Sequence, residues 1–243
     1  MKPSPKFQPE PDTILAFGAH PDDIEFGCGG VIARETQAGR AAHFVVCSRG
    51  ESGTHGTPAQ RVREARAAAK LLGATVEFVD LGGDAHIEAN VARTLKLAAI
   101  IRRWRPAVVL APTTEENQHP DHVAVGRMVR DATRLARYGG VKELKPRPAH
   151  AVGQLLFYAV TNEPAAADRP AVWLDVSGVG TIWHGAMQAH ASQMRTRNYA
   201  ELQLARARLH GLRFGVELAI PLFPNDPLVF DGLKQLGRAA RRY

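Results

Sequence analysis

The sequence contains only two cysteines, Cys28 and Cys47, among its 243 residues. They form neither a CxxC pair nor a disulfide framework, which fits a reducing compartment. No apolar run approaches the roughly 20 residues of a membrane span, and the Pro-rich segment Met1–Asp12 has no apolar signal-peptide core. We therefore expect a cytoplasmic protein with no membrane partner. The chain is predicted to form one domain, 1–243, with residues 1–12 as a flexible extension.

Clustered basic charge is also scarce, although the formal net charge is +7. The Lys and Arg residues are dispersed along predicted helices, apart from Arg238, Arg241 and Arg242 near the end. A nucleic-acid interface normally places its basic residues on one face, whereas dispersed charge is typical of a solvated surface. No nucleic-acid partner is predicted, and a small anionic substrate remains compatible with this charge.

Two common catalytic signatures are missing. The sequence has no GxSxG nucleophile elbow and no paired Cys/His arrangement, so a covalent route is not indicated. The glycine-rich stretch Gly27–Gly30 lacks the lysine of a nucleotide-binding P-loop and does not directly follow a strand. Small residues there favour close packing of the first helix against the sheet. A ligand role for Cys28 is the less favoured interpretation.

Short apolar runs alternate with helical stretches through most of the chain. Such runs, bounded by Gly, Pro or charge, are typical of buried parallel strands, and the alternation predicts a mainly parallel α/β sheet flanked by helices. Pro58, after Thr57 in a capping-box pattern, opens one of these helices. The predicted strands are Thr13–Gly18, Ala42–Cys47, Val76–Leu81, Ala107–Ala111, Gln154–Val160 and Ala171–Val176. The predicted helices are Pro58–Leu72, Glu88–Trp104, Gly180–Ser192 and Tyr199–His210.

Polar segments rich in His, Asp and Glu follow three of the first four strands. They are His20–Asp23, Arg49–Glu51 and Glu115–His122, the last of which includes Glu116, Asn117 and Gln118. In an open parallel sheet, ligands bind beyond the carboxyl ends of the strands, where these segments meet. We therefore expect the chemistry at this edge.

The residue types in these segments suit a catalytic zinc site, which combines three protein ligands with a water. His20 and Asp23 are three residues apart and can point at one place, and His122 or His119 supplies the third ligand. Asp22 is then placed to act as general base. Either His-Pro-Asp tetrapeptide alone would also fit a simple turn with a helix cap. Two of them at strand ends favour the metal site.

The other histidines have weaker claims to chemistry. We expect them on the surface or at the ends of elements. They are His43, His55, His86, His150, His184 and His210.

Several motifs in the chain resemble, in order, those of the LmbE-like or PIG-L N-deacetylases. The similarity extends from about Thr13 to Val229. Its segments are Ala19–Asp23, Arg49–Thr54, Arg61–Ala65, His119–His122 and Gly215–Glu217. The resemblance implies a Rossmann-like fold and zinc-dependent removal of an N-acetyl group from a glucosamine unit.

The resemblance also implies a role for each matching position. His20, Asp23 and His122 would bind zinc, and Asp22 would be the general base. His119 would be the acid or the electrostatic group that stabilises the oxyanion. Sugar-binding positions would be Arg61 and Asp84, and Tyr199 would either face the oxyanion or belong to the core.

Within that family, the sequence looks most similar to deacetylases of N-acetylglucosaminyl malate in bacillithiol synthesis. Malate is a dianion, which would suit Arg61 and the positive net charge. Relatives that act on mycothiol precursors or diacetylchitobiose share the motif, so these substrates stay open, as do a non-sugar amide and a non-catalytic sugar-binding role. The resemblance implies a trimer or hexamer. Iron or manganese remain alternatives to zinc.

Overall fold

The computed structural model describes residues 12–115, 119–160, 170–195 and 197–237, and shows a seven-stranded sheet. The strands are β1 (Thr13–Gly18), β2 (Ala41–Val46), β3 (Thr75–Phe78), β4 (Val108–Pro112), β5 (Gln154–Tyr158), β6 (Val172–Asp175) and β7 (Ala219–Pro224). Their order is β3-β2-β1-β4-β5-β7-β6, and the first five in that order are mutually parallel. The predicted fold class, a mainly parallel α/β sheet flanked by helices, is confirmed.

Six helices flank this sheet in the described part of the chain. They are α1 (Asp23–Gln37), α2 (Pro58–Leu71), α3 (Val91–Trp104), α4 (Pro120–Arg137), α5 (Gly180–Gln188) and α6 (Tyr199–Phe214). One core cluster contains side chains from α1, α2, α5 and α6, and a second contains side chains from α3 and α4. The change of face falls between β1 and β4, which are neighbours in the sheet, so their carboxyl ends form the topological switch point.

β1 shows why the central strands are continuous apolar runs. Ile14 and Ala16 pack into one core cluster, whereas Leu15 and Phe17 pack into the other. A strand covered by helices on both faces has no solvent-facing side, so period-two alternation of polarity is lost. All four side chains are at most 2% exposed.

Several predicted boundaries are corrected by local hydrogen bonding. The third helix begins at Val91 rather than Glu88, because the Asn90 side chain accepts a hydrogen bond from the Arg93 backbone and caps it. The Thr57 side chain caps α2 as predicted, but the Gln60 amide donates to Glu64 instead of returning to residue 57.

β1 is predicted correctly at both ends, and the bounds of the other strands differ by at most three residues from those predicted, most of all at β3, which ends at Phe78 rather than residue 81. The fifth helix is shorter than predicted and the sixth longer. β7 was not predicted, because Pro221 and Pro224 argue against an interior strand. It nevertheless pairs antiparallel with both β5 and β6.

The glycines of α1 allow close packing, as the sequence predicts. A Cβ on Gly27 would lie 2.2 Å from Cδ2 of Tyr158 on β5, and one on Gly29 would lie 2.8 Å from Cδ1 of Trp183 on α5. α1 is interrupted at Cys28, whose backbone has φ −143° and ψ 15°. The Trp183 indole donates to the carbonyl of Glu25 in the turn before this interruption.

Among the described residues, no helix is both long and apolar enough to cross a membrane.

Candidate metal and active site

The residues with predicted chemistry lie at the carboxyl ends of three parallel strands. Ala19–Asp23 follows β1 and leads into α1, residues 119–122 lie between β4 and the first turn of α4, and Asp84 follows β3. β1 and β4 are the two strands at the switch point, which brings their loops together. Glu51 of the predicted segment Arg49–Glu51, after β2, reaches the same place by accepting the backbone N–H of Asp84. The prediction that the segments after β1, β2 and β4 meet at one edge of the sheet is confirmed for their described residues.

Three donor groups converge in the centre of this site. Nε2 of His122 lies 3.0 Å from Oδ1 of Asp23 and 3.3 Å from Nδ1 of His20. Nδ1 of His20 is 3.6 Å from Oδ2 of Asp23. This Oδ2 accepts the backbone N–H groups of Ala19 and His20, both at 2.8 Å, so Oδ1 is the oxygen directed toward His122.

These separations fit a tetrahedral metal ion. Zinc binds imidazole nitrogen and carboxylate oxygen at about 2.0–2.2 Å, which puts neighbouring ligand atoms about 3.3 Å apart. The three groups are buried and contribute two imidazoles and one carboxylate, a donor set that zinc prefers. Burial opposes ionisation of Asp23, but His122 and His20 outweigh it and hold its pKa well below the usual range.

His119 lies beside this group but is also the N-cap of α4. Its Nδ1 accepts a hydrogen bond from the Asp121 backbone at 3.2 Å, and its ring centroid is 4.8 Å from that of His20. His20, His119 and His122 also have ligand atoms within 4.8 Å of one another, so in this group His119 takes the place of Asp23. Burial and the neighbouring imidazoles, His20 foremost, lower the pKa of His119.

Asp22 has a strained backbone. It precedes α1 with φ 129° and ψ −24°, a region that side-chain-bearing residues rarely adopt. Strain of this kind costs on the order of 1–3 kcal/mol and concentrates at functional sites. Its side chain lines the same cavity as His20 and His119. Burial raises the pKa of Asp22 to about 6, while the Arg61 guanidinium opposes that rise.

Arg61 was predicted as a sugar-binding residue, but its guanidinium also forms hydrogen bonds within the protein. Nη2 of Arg61 donates to the carbonyl of Pro21 at 3.1 Å and to Oδ2 of Asp22 at 3.2 Å. The side chain is buried beneath the loop containing Gly50, where a Cβ would come within 2.1 Å of Nη1. Arg61 lines the cavity, but one of its nitrogens is already engaged by the segment that carries Asp22.

The far nitrogen of His20 is surrounded by carboxylates. Nε2 lies 3.0 Å from Oδ2 of Asp121 and 3.1 Å from Oδ1 of Asp84. The hydrogen bond from His20, together with the positive charges nearby, lowers the pKa of Asp84. Asp84 was predicted only as a sugar-binding position, and Asp121 was given no role of its own. A carboxylate next to a ligand histidine in a sequence motif could have indicated Asp121.

A cavity of about 890 Å³ opens beside these residues. Tyr199 lines it from the start of α6 and packs its ring 6.0 Å from that of Phe26. Tyr199 is half-buried, so it belongs to both the cavity wall and the packing of α1 against α6. The volume is within the range of about 300–1,000 Å³ that is usual for small-molecule sites.

Three of the remaining histidines were predicted wrongly. His43, His150 and His210 are buried rather than on the surface, with His43 stacked on the Trp104 ring at 3.8 Å. His190 received no prediction, yet it is fully buried and its Nε2 is 3.4 Å from Oε1 of Glu25. Some residues singled out in the sequence lie outside the described part of the chain. They are 1–11, Glu116, Asn117, Gln118, Arg238, Arg241 and Arg242.

Comparison with known protein families gives a match that covers most of β1, all of β2 to β4 and both His-Pro-Asp segments. The model of the PIG-L family, described as GlcNAc-PI de-N-acetylase, matches residues 15–133, which contain both His-Pro-Asp segments. The chain belongs to the PIG-L family. The expectation of an N-deacetylase-type hydrolase is confirmed at this level, and the cluster around His20 is a possible metal site of that family.

Individual relatives of the chain differ in their activities. The 4-oxalmesaconate hydratase of Pseudomonas putida is 31% identical over 77% of this chain and 76% of its own length. The diacetylchitobiose deacetylase of Thermococcus kodakarensis is 27% identical over 74% of this chain and 69% of its own. The crystal structure of the conserved protein TT1542 from Thermus thermophilus superimposes with a TM-score of 0.79 at 31% identity, covering 94% and 99% of the two chains.

Proposed function

We propose that the protein hydrolyses the N-acetyl group of a small molecule that contains N-acetylglucosamine. His20, Asp23 and His122 would hold one zinc ion. The observation that carries the proposal is the group of three buried donor residues, whose nearest ligand atoms are 3.0–3.6 Å apart with Asp23 contributing both carboxylate oxygens, beside the strained Asp22 in a small-molecule cavity. Membership of a de-N-acetylase family supports the same reaction class.

Amide hydrolysis requires an activated water, stabilisation of charge on the carbonyl oxygen, and a proton for the leaving amine. Zinc, when bound, would supply Lewis acidity for the first two of these. Asp22 would accept the proton of the attacking water at its carboxylate and return a proton to the amine nitrogen. His119 would stabilise the oxygen that gains negative charge. Arg61 would keep the Asp22 carboxylate in place through their ion pair.

The identity of the sugar conjugate is a finer proposal. N-acetylglucosaminyl malate of bacillithiol synthesis, an inositol glycoside and diacetylchitobiose all present an N-acetylglucosamine unit. The deacetylase from Thermococcus kodakarensis supports the chitobiose-type substrate. Arg61 is less available to the malate carboxylates than the sequence suggests, because Asp22 and the Pro21 carbonyl already engage this side chain. Asp84 and Tyr199 remain proposed contacts for the sugar.

A second candidate function is the addition of water to a carbon–carbon double bond. The observation that favours it is the 31% identity to the 4-oxalmesaconate hydratase over 77% of the chain. Hydration and amide hydrolysis both begin with an activated water, so the same ligands and base would serve either reaction. Amide hydrolysis is preferred because the family model and the deacetylase relative agree on it.

One substrate panel separates these candidates. Zinc-loaded protein is incubated with N-acetylglucosamine, its malate and inositol glycosides, diacetylchitobiose, an N-acetyl amino acid and 4-oxalmesaconate. Release of free amine is measured for the amides, and loss of the conjugated double bond is measured by absorbance. Amine from the amino sugars supports the proposal. Amine only from the amino acid, or turnover only of 4-oxalmesaconate, would overturn it in favour of the corresponding alternative.

Two further expectations are retained as proposals. Assembly into a trimer or hexamer is tested by light scattering of the purified chain. Iron or manganese could replace zinc, because affinity alone selects poorly among divalent metals, and elemental analysis of protein from metal-limited cultures identifies the ion.

A further inference from the structure

One carboxylate oxygen contacts two neighbours behind the proposed metal site. Oδ2 of Asp121 lies 3.0 Å from Nε2 of His20 and accepts the backbone N–H of Ala85 at 2.7 Å. Asp121 and His20 are both buried, with 2% and 7% of their surface exposed. Because a carboxylate oxygen has two lone pairs, it can accept both hydrogen bonds at once.

The contacts of the His20 ring fix which nitrogen faces the metal ligands. A neutral imidazole carries a proton on one nitrogen only, and the acceptors around Nε2 place it there. Nδ1 is then left with a free lone pair, directed toward Nε2 of His122 at 3.3 Å. Carboxylates that hold the far nitrogen of a ligand histidine fix its orientation, and their loss typically weakens metal binding 10–100-fold.

The second neighbour, Ala85, adds a structural constraint. Its backbone has φ 64°, a left-handed conformation that residues with a side chain adopt at a cost. The hydrogen bond from its N–H to Asp121 holds this conformation, and with it the cavity wall formed by Asp84 and Ala85. Asp121 therefore joins a proposed metal ligand to the wall of the substrate cavity.

We propose that Asp121 is a positioning residue that directs Nδ1 of His20 at the metal and fixes the segment Asp84–Ala85. The inference rests on the proposed metal site. Asp121 is the third residue of the His119–His122 motif, and its position in the motif does not by itself indicate this function. Asp121 acts through His20 and Ala85, so its removal should affect both metal affinity and substrate binding.

Glu51 offers a matched comparison. Its Oε2 accepts the backbone N–H of Asp84 at 3.0 Å, and its Oε1 accepts that of Arg49 at 3.0 Å. Glu51 thus fixes the same segment from the other side, but its hydrogen bonds in the described part of the chain go to the backbone and not to His20. Replacing Glu51 removes a hydrogen bond to the Asp84 backbone and leaves the contact between Asp121 and Nε2 of His20 in place.

The test measures zinc affinity of metal-free protein by competition with a chromophoric chelator, for wild type, Asp121→Ala, Asp121→Asn and Glu51→Ala. We expect Asp121→Ala to bind zinc 10–100-fold more weakly and Asp121→Asn to be intermediate, since an amide oxygen accepts the same hydrogen bonds without the charge. Glu51→Ala should bind zinc within threefold of wild type. In the metal-free chains, the Ala85 amide should exchange hydrogen faster in Asp121→Ala than in wild type.

Three results would overturn the assignment. One is zinc affinity of Asp121→Ala within threefold of wild type, and another is unchanged exchange at Ala85. The third is a loss in Glu51→Ala equal to that in Asp121→Ala, which would attribute the effect to the loop alone. If Asp121→Ala does not fold, Asp121→Asn takes its place, and zinc affinity of Asp121→Asn within threefold of wild type would overturn the assignment. Wild type that binds no zinc at all would instead contradict the proposed metal site.

Discussion

Arg61 and Asp22 form a partly buried ion pair across two segments, with Nη2 of the guanidinium 3.2 Å from Oδ2 of the carboxylate. The same nitrogen donates to the carbonyl of Pro21 at 3.1 Å. Asp22 is thus held by its partner as well as by its own strained backbone. Arg61 therefore orients the proposed base, Asp22, and also forms part of the cavity wall.

Replacing Arg61 by Lys should lower kcat while leaving KM within about threefold. A lysine ammonium lacks the planar fork of the guanidinium, so it cannot reproduce the same contacts with Pro21 and Asp22. The expected loss in kcat is about 10–100-fold, because misplacement of a reacting group by about 1 Å has that effect. Steady-state kinetics on the preferred amino sugar measures both constants. Arg63→Lys, an exposed position on the same helix, should leave both unchanged. A rise in KM alone for Arg61→Lys would point to substrate binding instead.

Arg102 should be a major contributor to stability although it is far from the cavity. Its buried guanidinium donates to four backbone carbonyls, those of Ala136, Tyr138, Leu144 and Arg147, at 2.6–2.9 Å. Arg102→Met should lower the free energy of unfolding by at least about 3 kcal/mol, because buried acceptors would lose a charged donor. Lys96→Met, exposed on the same helix, should change it by under about 0.5 kcal/mol. Urea denaturation compares the two, and equal effects would refute this role of Arg102.

Gly27 and Gly185 should respond to alanine in opposite directions. A Cβ on Gly27 would lie 2.2 Å from the Tyr158 ring, which is anchored by a hydrogen bond from its hydroxyl to the Phe17 carbonyl at 2.6 Å. Gly27→Ala should cost about 1–3 kcal/mol through overpacking. A Cβ on Gly185, inside α5, would meet nothing within 4 Å, so Gly185→Ala should stabilise the chain by about 0.4–1 kcal/mol. Urea denaturation of variants with matched m-values checks the signs, and a neutral Gly27→Ala would contradict the packing.

The fold class and the edge of the sheet that carries the site could be predicted from the sequence because each depends on a local pattern. Buried parallel strands appear as apolar runs, and each His-Pro-Asp segment lies between such a run and the next helix. β7 could not be predicted in this way. Its pairing with β5 and β6 is set by tertiary contacts, and its prolines argue against a strand when taken alone.

The partners of the site residues were the least predictable part. Sequence spacing suggests that His20 and Asp23 point at one place, but it contains no information that Asp121 would reach Nε2 of His20, 101 residues away. The buried pair of His190 and Glu25 is also far apart in the sequence, although Nε2 and Oε1 of the two side chains lie 3.4 Å apart. Contacts of this kind depend on how distant segments pack against one another, which periodicity and composition do not encode.

The most direct test of the account is a paired measurement of zinc content and amine release for wild type and Asp22→Asn. Both proteins should bind one zinc ion per chain, because Asp22 is not among the three converging donor groups. Deacetylation by Asp22→Asn should fall by at least about 100-fold, since an amide cannot accept the proton of the attacking water. Full turnover by Asp22→Asn, or wild type that deacetylates amino sugars with no bound metal, would contradict it.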